Sequence, residues 1–116
     1  MIEEIKDIIE VLRVLERFLP EGGTEFVFNL LLKSNIKNVV LKSNALGLFL
    51  KSAIAGFIPE DKTITIDMDA VKKIKKPEGV LFLLCHEIAH SLPQIGGSEE
   101  RANQWAYEQF IKFKRS

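Results

Sequence analysis

The chain predicts an α+β fold in a single domain spanning residues 1–116. Three observations carry that expectation. Apolar residues recur with helical period near both ends of the chain, strand-sized apolar runs fill its middle, and turn-prone residues separate them at short intervals. The expected order is an N-terminal helix, a small mixed or antiparallel sheet of about three or four strands, a buried helix and a C-terminal helix. No internal repeat or low-complexity linker divides the chain.

The composition is that of a soluble globular protein, 47% hydrophobic and 28% charged. Sixteen basic residues balance sixteen acidic ones. No net field draws the chain to nucleic acid or to an anionic membrane, so neither is the expected partner. A single cysteine, Cys85, excludes an intramolecular disulfide framework. The N-terminal stretch is acidic and amphipathic, and no apolar run reaches membrane-spanning length, which points to a cytoplasmic protein.

Residues 2–19 read as an amphipathic helix, with Ile5, Ile8, Ile9, Leu12, Leu15 and Leu19 at three- and four-residue steps. Pro20 and the pair Gly22-Gly23 stop it. Such a helix packs on a core, and it could also cover a cleft or pair two subunits. Residues 24–34 fit either a strand, by the alternation of Phe26, Phe28, Leu30 and Leu32, or a buried helix. From 35 to 69 the pattern is β. Val39-Val40-Leu41 is followed by turn-prone Ser43-Asn44, and residues 46–58 suit a bent strand or two short ones. Residues 59–62 form a turn. Residues 63–68 alternate cleanly, with Ile64, Ile66 and Met68 on one face. Asp69 suits the cap of a short helix over 70–74. Lys72, Lys73, Lys75 and Lys76 read as a solvated basic face.

Pro77 suits the first turn of a helix running to about Leu92. That helix is apolar almost all round, so it belongs in the middle of its domain. Within it, His86 and His90 stand four residues apart, with Glu87 directly after the first. On a helix they share one face, and two imidazoles so placed can hold one zinc ion. Leu81, Leu84, Cys85 and Ile88 project away from them, so Cys85 reads as a buried core thiol.

Catalytic zinc takes three protein ligands and keeps one position open. The chain has no third histidine, and Pro93 and Gly96 occupy the positions where the metzincin extension needs Gly and His. A carboxylate is the remaining standard choice. After a short loop, Ser98 caps a last helix that opens with Glu99 and Glu100 and must fold back on the first. Glu99 shares a stripe with Ala102, Asn103 and Ala106, while Glu100 is turned about 100° away. The small residues permit close approach. Glu99 is therefore preferred as the third ligand, with Glu100 the runner-up, and Asn103 could hydrogen-bond a ligating imidazole from behind.

His86-Glu87-Ile88-Ala89-His90, followed by Glu99-Glu100-Arg101-Ala102-Asn103-Gln104-Trp105-Ala106, resembles the gluzincin pattern of zinc metallopeptidases. The later run is also similar to that of ImmA/IrrE-type metallopeptidases. The short chain and brief spacer look most like the minigluzincins. The specific match covers residues 86–106. The spacer is far shorter than in large gluzincins, and no separate C-terminal subdomain exists to supply substrate contacts. The resemblance implies a zincin-like fold, with residues 77–92 as active-site helix and the last helix as glutamate helix. It also implies one Zn2+ per chain on His86, His90 and Glu99, and hydrolysis of peptide or protein substrates with Glu87 as general base and then acid. By the same resemblance, strand 63–67 would receive an extended peptide along a free edge. Tyr107, about 80° round the helix from Glu99, is the candidate for transition-state stabilisation. Latency is implied too, with residues 2–19, residues 110–116 or a homodimer contact filling the cleft. The alternative is a non-catalytic regulatory or interaction module on the same fold.

Overall fold

The computed structural model describes residues 3–5, 7–34, 36–43, 55–58 and 63–115. It is a mixed α+β structure. Strand β1 (Glu3–Ile5) precedes helices α1 (Ile8–Leu15) and α2 (Gly23–Lys33), with a 3-10 turn at Glu16–Phe18 between them. Strands β2 (Asn38–Ser43), β3 (Ala55–Ile58) and β4 (Thr63–Asp67) follow, then α3 (Met68–Val71), α4 (Pro77–Ala89) and α5 (Glu99–Arg115). No helix among the described residues is long and apolar enough to cross a membrane.

The sheet is built around a parallel pair. β2 and β4 run side by side from Asn38 opposite Thr63 to Lys42 opposite Asp67. β1 joins the outer side of β2 antiparallel, and β3 joins the outer side of β4 antiparallel, giving the order β1-β2-β4-β3. Strand 63–67 is therefore hydrogen-bonded on both sides, which corrects the expectation that it offers a free edge. Its side-chain alternation reports which face is buried and is blind to backbone neighbours. Among the described strands, β1 and β3 are the edges.

The first helix is shorter than the sequence pattern suggested. Residues 3–5 are captured by pairing with β2, and the helix starts only after Asp7. The Asp7 carboxylate accepts from the backbone N–H of Ile9 at 2.9 Å and of Glu10 at 3.2 Å, an N-cap that the apolar stripe alone concealed. The buried face is Val11, Leu12 and Leu15, while Ile9 is 58% exposed. The ambiguous stretch 24–34 is helix α2. It buries Val27 and Leu31, one turn apart, and leaves Leu32 exposed, so the alternation of large residues was incidental.

The core lies between the sheet and the helices. Val39 and Leu41 of β2 and Ile64 and Ile66 of β4 point into it. They meet Val11, Leu12 and Leu15 of α1, Val27 and Leu31 of α2, and Leu81, Leu84 and Ile88 of α4. Helix α4 packs on α2, β3 and α5 together, the central position its all-round apolar surface requires. It begins at Pro77 as expected and ends at Ala89, before Leu92. The residues expected as a bent strand over 46–58 lie outside the described residues except for β3, as does the turn at 59–62. The short helix forms over Met68–Val71, ahead of the range expected after Asp69.

Helix α5 lies on α4 through Ala102 and Ala106, both fully buried. Ala106→Leu forces extra volume into that contact and is expected to cost about 1–3 kcal/mol. Urea denaturation of the purified variant measures it, and an unchanged midpoint would show that the two helices are not closely packed there.

Candidate metal centre

His86 lies in the last turn of α4 and His90 is its C-cap residue, still in right-handed helical conformation (φ −63°, ψ −18°). That last helical residue preserves the four-residue relation, so both rings leave the same face. Each imidazole side chain is only 12% exposed. The helix end is closed by tight turns. Ser91 donates its hydroxyl to the Ile88 carbonyl at 2.6 Å, and the N–H groups of Ile95 and Gly96 both donate to the Leu92 carbonyl, at 3.0 and 2.9 Å.

The loop then reverses the chain within a few residues. It is held from beneath by a second small core of Ala89, Ile95 and Ala102, flanked by Leu92 and Trp105. Ser98 opens α5 as expected: its hydroxyl accepts from the Arg101 N–H at 3.2 Å. Arg101 also donates from its guanidinium to the Gln94 carbonyl at 3.2 Å and so ties α5 to the loop.

This corner brings Glu99 to the histidines. One carboxylate oxygen lies 3.0 Å from His86 Nε2, the other 2.9 Å from His90 Nε2, and the two Nε2 atoms are 3.2 Å apart. Glu99 rather than Glu100 supplies the carboxylate, as helix phase suggested. The residues fit a metal ion. Three donors about 2.0–2.1 Å from a tetrahedral zinc lie about 3.3 Å from one another, close to the observed triangle. Protons alone serve the cluster poorly. To pair with both Glu99 oxygens, each Nε2 would need a proton, and two N–H groups would then face each other across 3.2 Å.

The other nitrogen of His90 decides its tautomer. Nδ1–H donates to the Gly96 carbonyl at 2.6 Å, leaving the Nε2 lone pair aimed into the triangle. From sequence, Asn103 is the residue that could give such support. That residue is exposed, and no hydrogen bond among the described residues joins it to either ring. A backbone carbonyl carries no residue signature, so Gly96 was not legible as a partner. Its one clue is glycine itself, since Gly96 sits at φ +52°.

Glu87 is 8% exposed and lies near enough to His86, His90 and Glu99 to feel their charges. Burial pushes its carboxyl above the ordinary range; the charges of His86 and His90 pull it down, and that of Glu99 raises it. Cys85 is fully buried, and burial pushes its thiol up to about 12, which fits the core role expected for it. Tyr107 is 56% exposed. Eight residues beyond Glu99, it lies about 12 Å along the helix axis, so its favourable angle does not place it at the triangle. Comparison with known protein families, with curated proteins and with solved structures gives no match.

Two outcomes are expected. Gly96→Ala keeps open space for its methyl group but strains the backbone at positive φ. It should cost about 1 kcal/mol of stability, measured by urea denaturation; an unchanged midpoint would show that position 96 is not held at positive φ. The second outcome concerns pH. A carboxyl whose folded pKa is raised contributes most below its unfolded value, near 4.5, and that contribution is lost as pH rises through the folded value. In chelator-treated protein, Glu87→Gln should therefore melt above wild type at pH 7 and level with it near pH 4. A gap that widens on acidification would contradict the burial of this carboxylate.

Proposed function

We propose that the chain is a zinc-dependent peptidase of minimal size, with His86, His90 and Glu99 as ligands. The observation that carries the reading is a donor triangle with a buried carboxylate near it, Glu87, that does not belong to the donor set. A purely structural zinc site closes its coordination with a fourth protein ligand. Here only three His, Cys, Asp or Glu residues converge among the described residues. Zinc bound there supplies Lewis acidity towards a carbonyl oxygen and towards water.

The chain's own residues do the rest. Glu87 follows His86 directly, so while the rings point at the metal its carboxylate lies beside them. No hydrogen bond among the described residues holds that carboxylate, which leaves it free to accept a proton from water and pass it to the leaving amine. Its raised proton affinity suits both halves of that transfer. The exposure of Glu99, 73%, leaves the triangle approachable from its side. With β4 paired on both sides, β3 is the strand against α4 that an extended peptide could join.

The two segments considered as inhibitors lie elsewhere in part. Helix α1 packs against β2 and α2, and Phe113 packs on Phe26 at the far end of α5. The cleft-blocking role therefore has no support from the described parts of these segments, and the peptidase reading does not require it.

The test is Glu87→Gln in untagged protein. The variant should keep about one zinc per chain and lose hydrolysis of an unstructured protein substrate about 10²–10⁴-fold. Zinc retained with wild-type cleavage would sink the mechanism. Zinc bound by a wild-type chain that cleaves nothing would favour the non-catalytic module.

A further inference from the structure

At the opposite end of α5 from the candidate metal centre, α1 and α2 enclose a groove of about 700 Å³. Its location follows from α5. Phe113, fourteen residues beyond Glu99, lies about 21 Å along the helix axis and packs edge-on against Phe26 of α2, ring centroids 5.3 Å apart. The groove opens beside that contact, at Gly22 and Glu25.

The groove has an apolar floor and an acidic rim. Ile9, Leu12, Leu19 and Phe28 line the floor. Ile9 is 58% exposed there, and Leu32, one turn beyond Phe28, is 67% exposed. Leu32 lies outside the groove lining, so Ile9 is its one exposed large apolar side chain among the described residues. The rim carries Glu16, Glu21 and Glu25 against one cation, Arg13. No ion pair among the described residues involves any of the three carboxylates. A groove with an apolar floor bordered by carboxylates that make no ion pair among the described residues complements a partner that is apolar on one face and cationic on its flanks.

We infer that this groove docks a cationic amphipathic helix of a partner protein. The charge of the rim selects the sign of the partner, and the apolar floor selects its periodicity. Helix α1 is eight residues long, about 12 Å, which flanks about two turns of a docked helix and matches apolar anchors at i, i+3, i+4 and i+7. Lysine or arginine on the flanks of such a helix would lie over Glu16 and Glu25. The groove is remote from His86, His90 and Glu99, so it binds whether or not the peptidase reading holds. If that reading holds, the groove acts as an exosite that selects protein substrates.

The test uses the full chain as Glu87→Gln, so that the probe is not cleaved, with fluorescence anisotropy of a labelled lysine–leucine peptide of helical periodicity. The peptide should bind and its affinity should fall with salt. A double variant, Glu16→Lys with Glu25→Lys, should weaken binding about tenfold. Ile9→Ser, at an exposed site that the core does not need, should weaken it severalfold without changing the melting temperature. A peptide with glutamate in place of lysine should not bind. Affinity indifferent to both the rim and the floor variants would overturn the assignment. So would sedimentation showing a dimer that Ile9→Ser dissociates, since the groove would then belong to a second copy of the chain. Zinc content and hydrolysis are read separately on wild-type protein, so failure of the groove and failure of the metal centre remain distinguishable.

Discussion

The close approach of α4 and α5 is the constraint from which the site follows. Helix α4 is apolar on nearly every side and needs neighbours all round. Strand β3 and helix α2 cover part of it, and α5 covers the side next to the histidines through Ala102 and Ala106. Alanine at those positions lets two backbones approach with little side chain between them. A larger residue at either would lift α5, and Glu99 sits on the first turn of that same helix. The distance from carboxylate to imidazoles is therefore set by packing several residues away from the donors. Ile95 completes the arrangement. Buried against Ala89 and Ala102, it gives a short reversal its own small core.

Main-chain support fixes one ring of the polar cluster, and the convergent donors suit a cation. Half-buried imidazoles at the end of an apolar helix would be costly without partners. His90 gives one nitrogen to the Gly96 carbonyl and turns the other towards Glu99. His86 meets the second carboxylate oxygen. A divalent cation satisfies three convergent electron pairs at once, which no arrangement of protons does as well. Glu87 is excluded from this exchange by its position in the chain and is left with a raised proton affinity from burial. Structure and chemistry meet in that exclusion, since the same helix phase that directs the rings to one point holds the carboxylate beside them.

Helix α5 also links two regions of different character. Its N-terminal turn carries the Glu99 carboxylate, and its C-terminal turns rest against α2 through Phe113 and Phe26. Between them lies about 20 Å of continuous helix, a rigid spacer between the donor cluster and the acidic groove. A short domain gains two separated surfaces in this way without a second folding unit.

The α+β class, the burial of α4, the face of Ile64 and Ile66, and the phase choice of Glu99 over Glu100 were legible in the sequence because each depends on local periodicity. Side chains repeat every 2 or 3.6 residues whatever surrounds them. What depended on partners distant in sequence was not legible. Residues 3–5 form a strand because β2 is there to pair with them. Strand 63–67 lost its expected free edge because β3 folds beside it. Tyr107 has a suitable angle and an unsuitable height, which angular projection alone cannot separate. Support for His90 passed from Asn103, a side chain with a recognisable role, to the carbonyl of Gly96, a group every residue possesses. The sequence by itself determined which side chains could meet on one helix face. The tertiary structure decided which backbone groups stand behind them, because hydrogen bonding to the main chain depends on position in space and leaves no mark on residue identity.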